Sequence, residues 1–84
     1  WGAMDHLALR AALAGETASA ARIAGYADAA YVAKATPRQG NEARARSRLD
    51  TLLRERLATE ALERLLVEGA KLTEDEAVRL ALQN

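Results

Sequence analysis

Ala35-Thr36-Pro37-Arg38-Gln39-Gly40 is the stretch on which the fold turns. Pro37 biases Thr36 away from helical dihedrals, and Gly40 is a natural helix breaker. Thr36-Pro37-Arg38-Gln39 also fits a capping box with Pro at the first helical position, although Gly40 leaves room for a single short turn only. Composition changes across this break. The 35 residues before Thr36 hold 14 Ala and three Leu, whereas residues 41–84 hold ten Leu and seven Ala. Residues 36–40 are therefore read as a linker within one helical domain, between an Ala-rich half (1–35) and a Leu-rich half (41–84).

On the N-terminal side, Met4, Leu7, Ala8 and Ala11 recur at helical spacing, and Gly15 stands where a helix-terminating glycine belongs. A second helix is expected from about Glu16 to Ala35, with Ala20, Ile23, Ala24, Ala27 and Tyr31 on its inner face. So short a connection folds the pair into an antiparallel hairpin, in which Gly25 is assigned to close contact between the two helices. On the C-terminal side, Asn41 is placed as an N-cap, and Ala45, Leu49, Leu52, Leu53 and Leu57 form one stripe of a helix reaching about Ala58. Thr59 is assigned as the next cap, with Leu62, Leu65 and Leu66 facing inward until Gly69. Thr73-Glu74-Asp75-Glu76 is a capping box with Leu72 and Ala77 as its staple, and the last helix carries Ala77, Val78, Ala81 and Leu82 inward. The expected fold is all-α: a tetratricopeptide-like hairpin followed by a three-helix unit, about five helices in all.

Composition agrees. Half of the 84 residues are apolar, Ala supplies 21 of them and Leu 13, and there are three aromatics and one Pro, a balance that favours helix and excludes a β-sandwich or barrel. No Cys is present, so there is neither a disulfide frame nor a thiolate metal site, as suits a reducing cytoplasm. Twelve basic and twelve acidic side chains cancel, which points to neither nucleic acid nor membrane, and no apolar run approaches the ~20 residues a bilayer span needs. The first residue is Trp1 rather than Met, and the chain reads as a piece of a larger protein.

Residue types that carry chemistry are scarce. His6 has Leu9 and Arg10 where a second helix-borne metal ligand would stand, and the adjacent Asp5 points to another side of the helix. Ser19 and Ser47 lie in no nucleophile-bearing turn, and Gly15-Glu16-Thr17 lacks the second glycine and the lysine of a phosphate loop. Neither a catalytic residue, a metal ligand nor a cofactor site is expected. Arg44, Arg46, Arg48, Arg54 and Arg56 face Asp50 and Glu55 within residues 43–56, a net +3, and residues 57–84 carry −3. One reading is a phosphate-binding helix. The preferred one is a solvated helix face, since Glu42/Arg46, Asp50/Arg54, Glu60/Arg64 and Asp75/Arg79 are all acid-first i,i+4 pairs. The last two helices cannot read DNA as a helix-turn-helix, because Glu74, Asp75 and Glu76 would meet the phosphates.

Ala11-x3-Gly15-x4-Ala20 has the glycine and alanine spacing of one tetratricopeptide-like hairpin, but a ~34-residue period would put the next glycine at Leu49. At most one repeat is present. Three further stretches, Ala20-Ala21-Arg22-Ile23-Ala24-Gly25-Tyr26-Ala27-Asp28-Ala29-Ala30-Tyr31, Asn41-Glu42-Ala43-Arg44-Ala45-Arg46 and the segment from Glu68 to Leu82, together resemble the C-terminal helical region of large bacterial ATP-binding transcriptional regulators. Those proteins join a winged-helix or LuxR-type DNA-binding domain to a signalling ATPase domain and a tetratricopeptide-like array. The resemblance runs from Leu7 to Leu82, rests on packing motifs, and carries over no nucleotide- or DNA-binding residue. What it implies is a non-enzymatic interaction module at the end of such an array, with the remaining domains of the parent regulator or a partner protein as its partners. The alternative is a nucleic-acid-binding domain using the arginine-rich helix 42–56.

Candidate partner-facing residues are Trp1, Leu9, Leu13, Tyr26 and Tyr31. The tyrosines are chosen because aromatics are scarce here and often anchor interfaces. Leu9 and Leu13 lie four residues apart, off the Met4–Leu7–Ala11 stripe, and Trp1 adds apolar surface at the same end. That arrangement predicts an exposed patch on the first helix, hidden by self-association.

Overall fold

The computed structural model describes residues 3–35 and 37–83, so the reading of Trp1 and the Thr36 capping box lie outside the described residues. Five helices and no strand occur among them: α1 (Ala3–Leu13), α2 (Thr17–Ala33), α3 (Gly40–Arg56), α4 (Thr59–Ala70) and α5 (Glu74–Leu82). The all-α expectation holds; residues 37–39 are in irregular backbone, and Gly40, read as part of the linker, is instead the first residue of α3.

Helix ends follow local chemistry. Gly15 takes φ +91°, and bonds from its N–H to the Ala12 carbonyl and from the Glu16 N–H to the Ala11 carbonyl close α1 in a Schellman motif. α2 stops at Ala33, two residues early, because Ala35 turns into the left-handed region at φ 52°. At α5 the capping box forms as read. The Glu76 N–H donates to Thr73 Oγ1 at 3.2 Å, and the Thr73 N–H donates to Glu76 Oε1 at 2.9 Å. These bonds, the backbone one first, hold the Glu76 carboxyl below its ordinary value. Two other cap assignments are corrected. α3 begins at Gly40, so Asn41 is inside it, and its side-chain oxygen accepts from Arg44 rather than capping an amide. α4 begins at Thr59 itself, with Ala58 as a cap that offers no side-chain acceptor.

One core runs through both halves of the chain. Met4, Ala8, Ala11 and Ala12 of α1 join Ala20, Ala21, Ile23, Ala24 and Ala27 of α2, Leu49 and Leu53 of α3, Leu62 and Leu65 of α4, and Ala77 and Ala81 of α5. The inward assignment of Val78 and Leu82 is overturned: both are exposed, and Leu80 packs against the core instead. α2 touches every other helix. Its alanines permit this, since a face of mostly small side chains lets neighbouring backbones come near.

The closest approach is between α2 and α4, which corrects the assignment of Gly25 to the hairpin contact. A Cβ on Gly25 would lie only 2.1 Å from the Leu66 carbonyl oxygen, far inside van der Waals contact, and one on Gly69 would meet the Arg22 carbonyl oxygen in the same way. Gly69 is the last residue but one of α4, and it lies at a crossing where the two helices run in opposite directions. Arg22 Nε donates to Glu68 Oε1 at 3.1 Å beside the crossing.

Helix propensity alone would favour Gly25→Ala and Gly69→Ala by about 1 kcal/mol each. Here the added methyl meets backbone, which cannot rotate away, so both changes should destabilise by about 2 kcal/mol or more. Urea denaturation followed by circular dichroism checks the sign. A rise in midpoint for either variant would show that the crossing is looser than described.

Candidate functional site

Asp5, on the buried side of α1, is wholly inaccessible to solvent. A carboxylate there needs a partner with matching hydrogen bonds. Arg38 supplies it from the linker, donating from Nε to Oδ2 at 2.7 Å and from Nη2 to Oδ1 at 2.9 Å. Arg38 Nη2 also lies 2.7 Å from Asp28 Oδ1, and its guanidinium sits 4.4 Å from the ring centroid of Tyr31. Asp28 in turn accepts from Arg46 Nε at 3.1 Å and Nη2 at 2.8 Å, and Arg46 Nη1 reaches Asp50. The result is one chain of alternating charge, Asp5–Arg38–Asp28–Arg46–Asp50, joining α1, the linker, α2 and α3. No buried side-chain nitrogen or oxygen among the described residues lacks a partner.

The network sets its own titration. Burial is the largest single influence on Asp28 and pushes its carboxyl up, yet the hydrogen bonds and charges of Arg46 and Arg38 together hold it below the ordinary carboxylate value. Burial also opposes the charge on Arg38, and Asp5 and then Asp28 outweigh it, raising the guanidinium further. The Tyr31 phenol is pushed up by burial and by the charges of Asp5 and Glu42, against the opposing charge of Arg38.

This network also corrects the helix-face pairs read from the sequence. Among the described residues, the i,i+4 ion pairs that form are Arg46–Asp50 and Arg64–Glu68, with the base first, and none of the four acid-first pairs closes. Arg46 turns toward α2, where Asp28 competes for it, and away from Glu42. Arg56 is likewise engaged, donating to the Ala12 carbonyl at the end of α1. Of the five arginines in α3, Arg44, Arg48, Arg54 and Arg56 are exposed without an ion pair among the described residues, and Arg56 alone of these is held across the fold, by the Ala12 carbonyl.

The candidate partner-facing residues scatter. Tyr31 is buried beneath Arg38, and Tyr26 is half-buried against the core. Leu9 is half-buried and shares an open groove between α1 and α3 with His6, Arg44 and Arg48, whereas Leu13 is 51% exposed. Trp1 lies outside the described residues. A larger and mostly apolar surface, which the sequence reading did not pick out, runs between α2 and α4: an open groove of about 430 Å³ lined by Gly25, Ala29, Val32, Leu66, Val67 and Ala70, with Asp28 as its one charged residue. Val32 is 79% exposed and Val67 56%. The available signal was the charge-free run from Ala29 to Ala33, which leaves α2 without a polar face.

No group of three or more potential metal ligands occurs among the described residues, and no helix among them is long and apolar enough to cross a membrane. No protein-family model, curated protein or solved structure matches the chain.

Two outcomes follow from the network. Arg38→Met leaves a buried carboxylate unpaired and should cost about 3 kcal/mol or more, while Asp5→Leu combined with Arg38→Met recovers part of that loss. A double variant no better than the single one, by chemical denaturation, would show that Asp5 is not the group made costly. For pH, a folded carboxyl held below its unfolded value of about 3.9 contributes stability that is present above that pH and lost as pH falls through the folded value. Asp28→Asn should therefore lower the urea midpoint at neutral pH, and its deficit relative to wild type should narrow below about pH 4. An equal deficit at pH 7 and pH 2.5 would assign the effect to packing rather than charge.

Proposed function

We propose that this chain is a non-catalytic helical interaction module that receives an apolar helix of a partner along the α2–α4 groove. The carrying observation is the state of α2. Only two of its 17 residues are charged, and both are taken up in ion pairs, Arg22 with Glu68 and Asp28 with Arg38 and Arg46. A helix that is apolar on nearly every side is written for burial. Yet Val32 is 79% exposed, and Val67 of α4 stands exposed across the same groove. Small residues at its floor admit close approach of a further backbone, as Gly25 already admits α4.

The resemblance to the helical region of bacterial ATP-binding regulators gives this surface a context: the partner helix belongs to the remaining domains of a parent regulator in the bacterial cytoplasm. The nucleic-acid alternative has less support, because Arg46 and Arg56 already bond within the fold. Their engagement leaves three arginines of α3 not bonded to another helix among the described residues, in a chain whose α4–α5 half is acidic.

A photo-cross-linker placed at Val67 in the native gene product, with Glu63 as the control position, tests the reading. Cross-links from position 67 should map by mass spectrometry to an apolar helical segment, and should fall at least about tenfold when Val32→Asp is added. Equal yields from positions 63 and 67 would sink it. So would sub-micromolar binding of the chain to random duplex DNA with a steep salt slope.

A further inference from the structure

A second pair of uncovered surfaces lies away from the α2–α4 groove, and the two members of the pair match each other. The first is the α1–α3 groove. Asp5 meets Arg38 just before α3, and Ala12 meets Arg56 at its end, so the two helices run side by side in the same general direction. On the α1 bank, His6, Leu9 and Leu13 follow one another at steps of three and four residues. On the α3 bank stand Arg44 and Arg48, one helical turn apart, with Ala45 at the floor. Neither arginine meets a carboxylate among the described residues.

The second surface is the outer face of α5. Asp75, Val78 and Leu82 follow one another there at the same steps of three and four, and all are exposed, Leu82 at 71%. Glu74, one turn before Val78, adds a second exposed carboxylate. Three residues followed by four span about 10.5 Å of helix on either surface. Laid along α1 in the same direction, an α5 would set Asp75 and Glu74 over His6, Arg44 and Arg48, Val78 over Leu9, and Leu82 over Leu13.

We propose that the α1–α3 groove binds the α5 face of a second copy of this chain. Charge and spacing choose the occupant: a basic groove with two leucines receives an acidic helix with two aliphatic side chains at the same interval. The whole chain carries twelve bases and twelve acids, so no net repulsion opposes the approach of copies. Groove and stripe are different surfaces, which makes the contact head to tail, as neighbouring units meet in a helical array. The inference rests on its own pair of surfaces and goes beyond the α2–α4 reading.

Sedimentation equilibrium over a concentration series tests it with two variants. Arg44→Glu with Arg48→Glu disables the groove and leaves the stripe, and Leu82→Glu with Val78→Glu disables the stripe and leaves the groove. All four side chains are exposed, so unchanged thermal melting of each variant is the required control. Wild type should gain mass with concentration, and each variant should associate at least about tenfold more weakly. Mixed in equal amounts, the two variants should form a species of twice the 9.0 kDa chain mass, because one working groove then meets one working stripe. Added salt should weaken it, as the charges are exposed. A wild type that stays monomeric overturns the proposal, as does a mixture no heavier than its parts. Val32→Asp should leave the association unchanged, so loss of the α2–α4 cross-link and loss of self-association are told apart.

Discussion

A carboxylate fully withdrawn from water on the first helix sets the terms for the rest of the molecule. Both oxygens of Asp5 need hydrogen-bond partners there, and the guanidinium that fills them belongs to the linker. Bringing Arg38 back to α1 fixes where α3 starts, and hence which helix α3 lies beside. The same guanidinium reaches Asp28 and covers Tyr31, so α2 is held by the one clasp. An ion pair of this kind adds little net stability over an apolar pair of the same shape. Its contribution is to selection among packings, because every alternative placement of the linker leaves Asp5 bare.

The alanine-rich helices need such a device. An alanine buries little area, so a core in which alanines outnumber leucines gains less from water release than its length suggests. It gains instead from closeness. At Gly25 and Gly69 the α2 and α4 backbones come nearer than any side chain would permit, and dispersion between main chains replaces the missing side-chain area. Close packing of smooth helices leaves their sliding and rotation weakly specified. The charge chain on one side of α2 and Arg22–Glu68 on another oppose those motions.

What could be read beforehand follows from this division. Helices with a leucine stripe and a polar back were legible, and so was the Thr73 capping box, because each signal is local. The long-range polar contacts were not. Asp5 and Asp28 look like ordinary surface acids along their helices, and Arg38 sits in a segment whose Pro and Gly draw attention to its backbone. Gly25 was visible as a contact residue, but a helix with alanines on every side marks no single packing face, so its true neighbour was hidden. Val78 and Leu82 failed for a related reason: on a nine-residue helix, two small alanines already satisfy the core, and the larger residues are left outside.

The candidate site was harder still, since an interaction surface is defined by what packing leaves over. The two tyrosines were chosen for their rarity, and the structure uses one to floor an arginine and the other to edge the core. Leu9 and Leu13 lie beside a groove whose basic bank comes from a helix 35 residues away in sequence, a juxtaposition that exists only once Arg38 has placed α3 along α1. The α2–α4 groove likewise runs beside the crossing that two glycines make close, with Val67 at the crossing and Val32 two turns along α2 from Gly25. Both uncovered surfaces are thus consequences of the two contacts that organise the fold. Loosening the clasp or the crossing would alter the surfaces before it unfolded the chain, which couples what this module can bind to how tightly its own helices are held.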